Sequence, residues 1–311
     1  MNIIPLSPIA EKMLFTVAGF KGRFEGAYNI RQDTGCAGRR STDNIKILPH
    51  REGKPGIEIH VAPGTGGETV YIPATVTKGY VEDLTYNDFY IGEGARVTII
   101  AGCGVHTDDA GEARHNGVHR FFVGKGAEVL YEEKHIGEGE GKGRRRIDPV
   151  SDIYMEEDSR MTMDTVQLGG VDLTDRLTTA SLKTRAKLVV RERLMTTGTQ
   201  LAKTRFDVVM EGEDSGCDVV SRSVARGQSR QEFYSRVAGK ARCTGHSACD
   251  AIVDDEAVVT AAPQLDAFSP DAALIHEAAI GRIAGEQILK LRTLGLTEEE
   301  AEARIVEGFL K

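Results

Sequence analysis

From Gly94 onward, apolar and polar residues alternate with period two, and the alternation restarts at a recurring signal: a turn residue, then Ala or Ser, then apolar side chains at every second position. The unit is clearest in Gly94-Ala95-Arg96-Val97-Thr98-Ile99, Gly126-Ala127-Glu128-Val129-Leu130-Tyr131, Asp158-Ser159-Arg160-Met161-Thr162-Met163 and Arg185-Ala186-Lys187-Leu188-Val189-Val190. Weaker copies begin at Asp214, Lys240, Glu256 and Asp271. The small residues lie 32, 32, 27, 29, 26, 16 and 15 positions apart, so the late steps are about half the early ones, as half-turns would be beside full turns. Alternation of this kind marks strands, and repetition every 20 to 50 residues or so marks stacked units. The pattern predicts an all-β protein built around a parallel β-helix. A β-sandwich is the rival, but it would bring hairpin dipeptides, and Asn116-Gly117 is the single Asn-Gly step.

The ends follow another rhythm. Residues 8–17 predict a short helix, and residues 279–294 place Ile283, Ile288 and Leu291 at helical spacing before a stop at Gly295. Thr297-Glu298-Glu299-Glu300 reads as a capping box for a second helix with an apolar stripe at Ala301, Ile305 and Phe309. The expected division is an N-terminal segment 1–30, a β-helix core 31–278 and a C-terminal helical hairpin 279–311. The hairpin either covers the last coil or offers a docking surface.

Composition narrows the function. The 311 residues carry 39 Lys and Arg against 47 Asp and Glu, a formal charge of −8. That balance counts against a nucleic-acid binder, whose affinity rests on neutralising phosphates. No apolar run approaches the roughly 18 residues of a spanning helix, so no membrane association is expected. The opening MNIIPLSPIAEKM lacks a basic stretch followed by an apolar one, which points to the cytoplasm. Cys36, Cys103, Cys217, Cys243 and Cys249 form an odd, widely spaced set, read as reduced thiols.

Several enzyme signatures fail on a residue. His276-Glu277-Ala278-Ala279-Ile280 begins like a zinc-protease motif but has Ile280 where the second ligand must stand, and the glycine-rich run from Gly137 to Gly143 lacks the Walker spacing. There is no nucleophile elbow and no dinucleotide fingerprint. Cys103 and His106, with His115 and His119 further on, keep open a zinc-dependent β-helical hydrolase or metal-binding protein. A carbohydrate-active β-helix would need aromatic sugar platforms, and the chain has no Trp. Richer chemistry lies in Cys243-Thr244-Gly245-His246-Ser247-Ala248-Cys249-Asp250, with His276-Glu277 placed to return on a neighbouring coil. A thiolate beside imidazole and carboxylate could accept sulfur or bind iron–sulfur species. Cys243 also fits a plain core position on the alternating pattern.

Ser247-Ala248-Cys249-Asp250, Ile275-His276-Glu277-Ala278, Gly281-Arg282-Ile283, Glu286-Gln287 and the close from Arg292 through Ala301 to Phe309 together resemble the C-terminal segment of the SufB/SufD proteins. These are scaffold components of the SUF iron–sulfur cluster assembly system. Ala27-Tyr28-Asn29-Ile30-Arg31 and Gly38-Arg39-Arg40-Ser41 are similar to their upstream segments. The resemblance implies a right-handed β-helix that is not itself an enzyme. It further implies C-terminal helices docked on the ABC-type ATPase SufC, with Arg282, Ile283, Glu286, Gln287, Leu291, Ile305 and Phe309 as candidate contacts. Cys249 matches the cysteine that distinguishes SufB from SufD, so the chain looks SufB-like. Glu277 and His276 then match its companions at a nascent-cluster site, His115 is a further candidate ligand, and Cys103 matches a cysteine thought to take in sulfur. A sulfur donor protein, and a second copy or a SufD-like partner at the β-helix edge, are implied; reduced flavin is an implied candidate cofactor. The polar stretch the family carries after Tyr131 is replaced by Glu132-Glu133-Lys134-His135-Ile136, which counts against an internal sulfur route from Cys103 to Cys249.

Overall fold

The repeating turn residue has a conformational reason. In the computed structural model, which describes residues 3–311, Gly94, Gly126, Asp158, Arg185 and Asp214 take a left-handed backbone with φ of 63°, 64°, 61°, 58° and 56°. The small residue after each, Ala95, Ala127, Ser159, Ala186 or Ser215, is fully buried and donates its N–H to the carbonyl three residues earlier. Each turn thus closes over a side chain too small to splay the next coil. In the weaker copies Ala241, Ala257 and Ala272 are half-buried, because they lie toward the solenoid's last coil.

Helix α1 (Pro8–Ala18) precedes the strands. Two antiparallel pairs follow: β1 (Ala27–Gln32) with β2 (Gly35–Arg40), and β3 (Ile45–Pro49) with β4 (Gly56–Val61). The chain then winds through β5 (Gly66–Val76), β6 (Val81–Ile91), β7 (Arg96–His106), β8 (Ala113–Val123), β9 (Glu128–Glu138), β10 (Arg145–Ile147), β11 (Val150–Met155) and β12 (Arg160–Gln167). It continues through β13 (Leu173–Leu182), β14 (Lys187–Thr196), β15 (Leu201–Met210), β16 (Gly216–Ala225), β17 (Arg230–Gly239), β18 (Cys243–Val253), β19 (Val258–Ala267) and β20 (Ala272–Gly281). One sheet runs β2-β1-β5-β7-β9-β12-β14-β16-β18-β20 and the other β19-β17-β15-β13-β10-β8-β6-β4-β3. The result is a parallel β-solenoid of about eight turns. β10 and β11 both pair with β8 and β13; the break falls at Pro149, which has no N–H to give to a ladder.

Two glycines seat α1 on the outer face of the first sheet. A Cβ at Gly102 would stand 2.7 Å from the Val17 Cβ, and one at Gly104 would stand 2.7 Å from the Met13 Sδ. The helix is framed by Ser7, whose side chain accepts from the Ala10 N–H, by Pro8, and by Gly19 at φ 67°. Leu14 and Val17 pack with Tyr28, Ile30 and Ile100 into a cluster outside the lumen.

At the other end, helices α2 (Gly285–Arg292) and α3 (Glu298–Phe309) follow β20. The first is shorter than its spacing suggested. Ala279, Ile280 and Gly281 remain in β20, paired with Asp250, Ala251 and Ile252 of β18, so ladder bonds win over helical periodicity. The capping box at Thr297 forms as expected. In α3 the buried residues are Ala301 and Val306, with Ile305 and Phe309 half-buried, and Arg226 of the solenoid pairs with Glu302. No helix among the described residues is long and apolar enough to cross a membrane.

Candidate functional site

The lumen is divided lengthwise. In the first sheet, the first half of each strand points apolar residues inward, such as Val97 and Ile99, Met161 and Met163, Leu188 and Val190. From β9 to β18 the second half points mainly polar ones inward: Glu133 and His135, Thr165 and Gln167, Glu192 and Thr196 with Leu194 between them, Ser221 and Ser223, Ser247. In-register pairing stacks them into a buried polar column.

Its central stretch is continuous. Tyr131 donates to the Glu133 Oε1 at 2.8 Å, since an ionised carboxylate only accepts. The Tyr131 oxygen then accepts from His119 Nδ1–H at 2.8 Å, and the Asn87 amide donates to His119 Nε2 at 3.2 Å, so His119 is neutral. Burial holds its pKa down to about 4. Arg176 donates to the Glu133 Oε2 at 2.7 Å, and its Nε lies 3.6 Å from the Glu192 Oε1. Burial alone would raise Glu133, but His135 and Arg176 more than offset it and keep the carboxyl well below its usual range. Glu192 in turn accepts from Thr204 at 2.9 Å and from Ser221 at 2.6 Å. Toward the N-terminal end, Arg31 Nε donates to Asp83 at 3.1 Å, and His115 Nδ1 meets the same carboxylate at 3.2 Å.

Cys103 and Cys249 both face this column. Cys103 pairs in register with His135, and burial, with the Glu133 charge behind it, pushes its thiol well up. Cys249 lies five strand steps further along the first sheet, about 24 Å at roughly 4.8 Å per step. It sits between Ser221 and Ala278, and burial, followed by Glu192 and Asp250, raises its pKa to about 12. Cys217 and Cys243 belong to the apolar core, as the alternation suggested for Cys243, and Cys249 packs against the same core at its boundary with the polar column.

His276 pairs in register with Ser247 and shares the lumenal face with Cys249 at the last coil. Both its ring nitrogens lack a hydrogen-bond partner, and burial, then His246, lowers its pKa. Glu277, the next residue on the strand, faces outward. There its Oε2 lies 3.8 Å from His246 Nε2, and His246 Nδ1 meets the Asp218 Oδ1 at 2.7 Å. Cys249 and His276 are therefore brought to one face and Glu277 to the other.

The zinc set is not assembled either. Cys103, His115 and His119 point into the lumen, whereas His106 points outward and lies 2.9 Å from Asp108, because even and odd positions of β7 face opposite ways. Among the described residues no three His, Cys, Asp or Glu side chains converge to hold a metal by themselves. Of the candidate docking residues, Arg282, Glu286 and Gln287 are exposed, and Ile283, Leu291, Ile305 and Phe309 are half-buried.

A solenoid with a buried thiol at its open end and a helical pair after its last strand has counterparts of known family. Residues 85–309 match the model described as SUF system FeS cluster assembly, SufBD core domain. The chain belongs to the SufBD family. A protein of Archaeoglobus fulgidus named as an iron–sulfur cluster assembly SufBD family protein is 27% identical over 274 residues, 88% of this chain and 73% of that one. One of Methanothermobacter thermautotrophicus, with the same name, is 30% identical over 237 residues, 74% of this chain and 56% of that one. A chloroplastic SufBD family protein of Arabidopsis thaliana is 24% identical over 240 residues, 41% of its length. The matched part of the chain thus spans from about two fifths to about three quarters of the length of these relatives. Membership supports a role in iron–sulfur cluster assembly.

Within this SufBD core, sequence reasoning passed over Arg176 and Glu192, the pair that links Glu133 to Ser221. Their signal was present, since both occupy inward positions of alternating strands where an apolar residue is the default.

Proposed function

We propose that the chain is a SufB-like scaffold on which sulfur and iron are joined into a nascent cluster that is then passed on. The observation that supports this reading best is that Cys249 and His276 share the lumenal face of the open coil, diagonal to one another on β18 and β20, the imidazole having neither nitrogen hydrogen-bonded. A thiolate and an imidazole suit sulfur and iron, and a set with few thiolates releases its cargo more readily than four would.

At neutral pH a thiol with a pKa of about 12 is protonated and unreactive. A cation arriving at the open end favours the thiolate, so reactivity is tied to arrival of the metal. The energy for rearrangement comes from a SufC-like ATPase docked on α2 and α3. The unpaired edge of β20 offers its ladder to a second copy or a SufD-like partner.

The test is anaerobic incubation of the chain with iron(II), cysteine and a cysteine desulfurase, followed by visible absorption and acid-labile sulfide. The wild-type chain is expected to accumulate a labile cluster and Cys249→Ser none. Equal accumulation by the variant overturns the reading, as does a wild-type chain that holds stoichiometric zinc and no sulfide.

A further inference from the structure

The outer face of the last coils carries an arrangement that the lumenal site does not use. Asp218 and His246 pair in register on β16 and β18, and Glu277 stands diagonally from His246 on the edge strand β20. The Asp218 Oδ1 lies 2.7 Å from His246 Nδ1, and a carboxylate can only accept, so Nδ1 carries a proton and the lone pair of the neutral imidazole is the one at Nε2. That lone pair looks toward the Glu277 Oε2 at 3.8 Å, too far for a hydrogen bond. Two donors that each stand about 2.0–2.2 Å from a tetrahedral ion are roughly 3.4 Å apart, so the exposed Glu277 side chain has to close in by only a few tenths of an ångström. A carboxylate behind a histidine, with the far nitrogen turned to a second carboxylate, is the arrangement that fixes tautomer and ring in metal sites.

We infer that His246 and Glu277, with Asp218 orienting the imidazole, form a receiving site for a divalent first-row metal ion on the outer face of the sheet. The identity of that ion as iron(II) rests on the scaffold reading above; the site itself does not. One imidazole and one carboxylate favour borderline divalent ions, and without a thiolate they do not trap soft copper(I). The side chains of His246, Asp218 and Glu277 are 37%, 48% and 72% exposed, so an ion reaches them from solvent and keeps water on its remaining positions. Two donors hold an ion loosely, which suits delivery rather than storage. His246 is three residues from Cys249 on the same strand, about 10 Å along it at roughly 3.3 Å per residue, but on the opposite face. Metal and sulfur are therefore received on two faces of one edge and meet only when the metal passes round β20, or when a partner at that edge displaces it.

The test uses cobalt(II) without sulfide, titrated anaerobically into the whole chain and read by d–d absorption and by the contact-shifted, exchangeable Nδ1–H proton of a ligating histidine. One such proton is expected. His246→Ala and Glu277→Gln should each weaken binding about tenfold or more, and Asp218→Asn should weaken it by about 10- to 100-fold while leaving unfolding midpoints in place. Cys249→Ser should bind as wild type does. Unchanged binding by His246→Ala, or loss of binding in Cys249→Ser, overturns the site. The two readings fail separately. Cobalt binding as described in a chain that never accumulates clusters sinks the scaffold and leaves the metal site. Normal cluster accumulation by His246→Ala leaves the scaffold and removes the metal site from its path.

Discussion

Cys249 and Ser221 hold the same lumenal register on adjacent strands, and the Ser221 hydroxyl is bound at 2.6 Å to the buried Glu192. A negative charge two coils away thus opposes ionisation of the thiol, behind burial itself. Glu192→Gln removes the charge; its one oxygen accepts from one of Thr204 and Ser221 and its amide N–H donates to the hydroxyl of the other, while Arg176 keeps its bond to Glu133. The thiol pKa should fall from about 12. Each unit of fall raises the thiolate fraction at pH 8 about tenfold, and alkylation of the Cys249 peptide by iodoacetamide should speed up in proportion. An unchanged rate would mean that burial alone governs the thiol.

The His119 imidazole is neutral in the folded chain and has a pKa of about 4, against about 6.5 when exposed. Between those values the unfolded chain takes up a proton that the folded chain refuses. Stability contributed by this group is therefore complete above about pH 6.5 and lost as the pH falls toward 4, by about 3 kcal/mol. His135, lowered in the same direction chiefly by burial, adds to the slope. Urea midpoints measured from pH 7.5 to 4 should fall steeply, and His119→Gln should flatten the curve. An equally steep curve in the variant would place a protonated His119 in the native state.

Helix α1 rests on the absence of two side chains. A Cβ at Gly102 would meet the Val17 Cβ at 2.7 Å and the Lys134 carbonyl oxygen at 2.9 Å, and one at Gly104 would meet the Met13 Cβ at 2.9 Å. Gly102→Ala should cost about 1–3 kcal/mol, spent largely in lifting the helix. Limited proteolysis should then cut within residues 8–18 well before the solenoid, with Cys249 alkylating at its wild-type rate. Resistance equal to wild type would show that the helix shifts without leaving the sheet.

The solenoid was legible because its turn is written clearly four times, from Gly94-Ala95 to Arg185-Ala186, and more weakly at Asp214-Ser215, each of the five setting a left-handed residue before a buried small one. Where the pattern weakens, from Asp214 on, the end of the last strand is harder to read, and the helical spacing over 279–294 takes in Ala279 to Gly281, which their ladder partners keep in β20. The placement of Glu277 opposite His276 was also within reach, since neighbours on a strand cannot share a face. The meeting of Asp218 with His246 was not. It depends on a coil offset of 28 residues here, whereas Glu128 and Arg160 pair at 32 and Arg160 and Lys187 at 27, and loop length alone sets which applies.

The open coil leaves Ile275 and Ile280 of β20 57% and 43% exposed beside an unpaired strand edge. Such an edge invites a strand from another chain. Ile275→Lys with Ile280→Lys should lower the mass seen by light scattering, for the chain alone or mixed with a SufD-like partner, while circular dichroism stays unchanged. Assembly of the same mass in the double variant would put the contact on another surface.

Helix α2 has eight residues and none of them is buried. Isolated helices shorter than about 12 residues are marginal in water, so α2 needs a surface to hold it beyond its few contacts with α3. Leu289 and Leu294, at and just after its C-terminal turn, are 61% and 73% exposed, large apolar side chains spent on solvent in a chain with a net charge of −8. Docking of a SufC-like ATPase would cover them and order the helix in one step. Leu289→Asp with Leu294→Asp should therefore abolish co-purification with that ATPase and leave the unfolding midpoint of the chain alone within error, because neither residue belongs to its core. A variant that still co-purifies would move the docking surface to the face of α3 around Phe309, where Phe309→Asp is the next substitution to make.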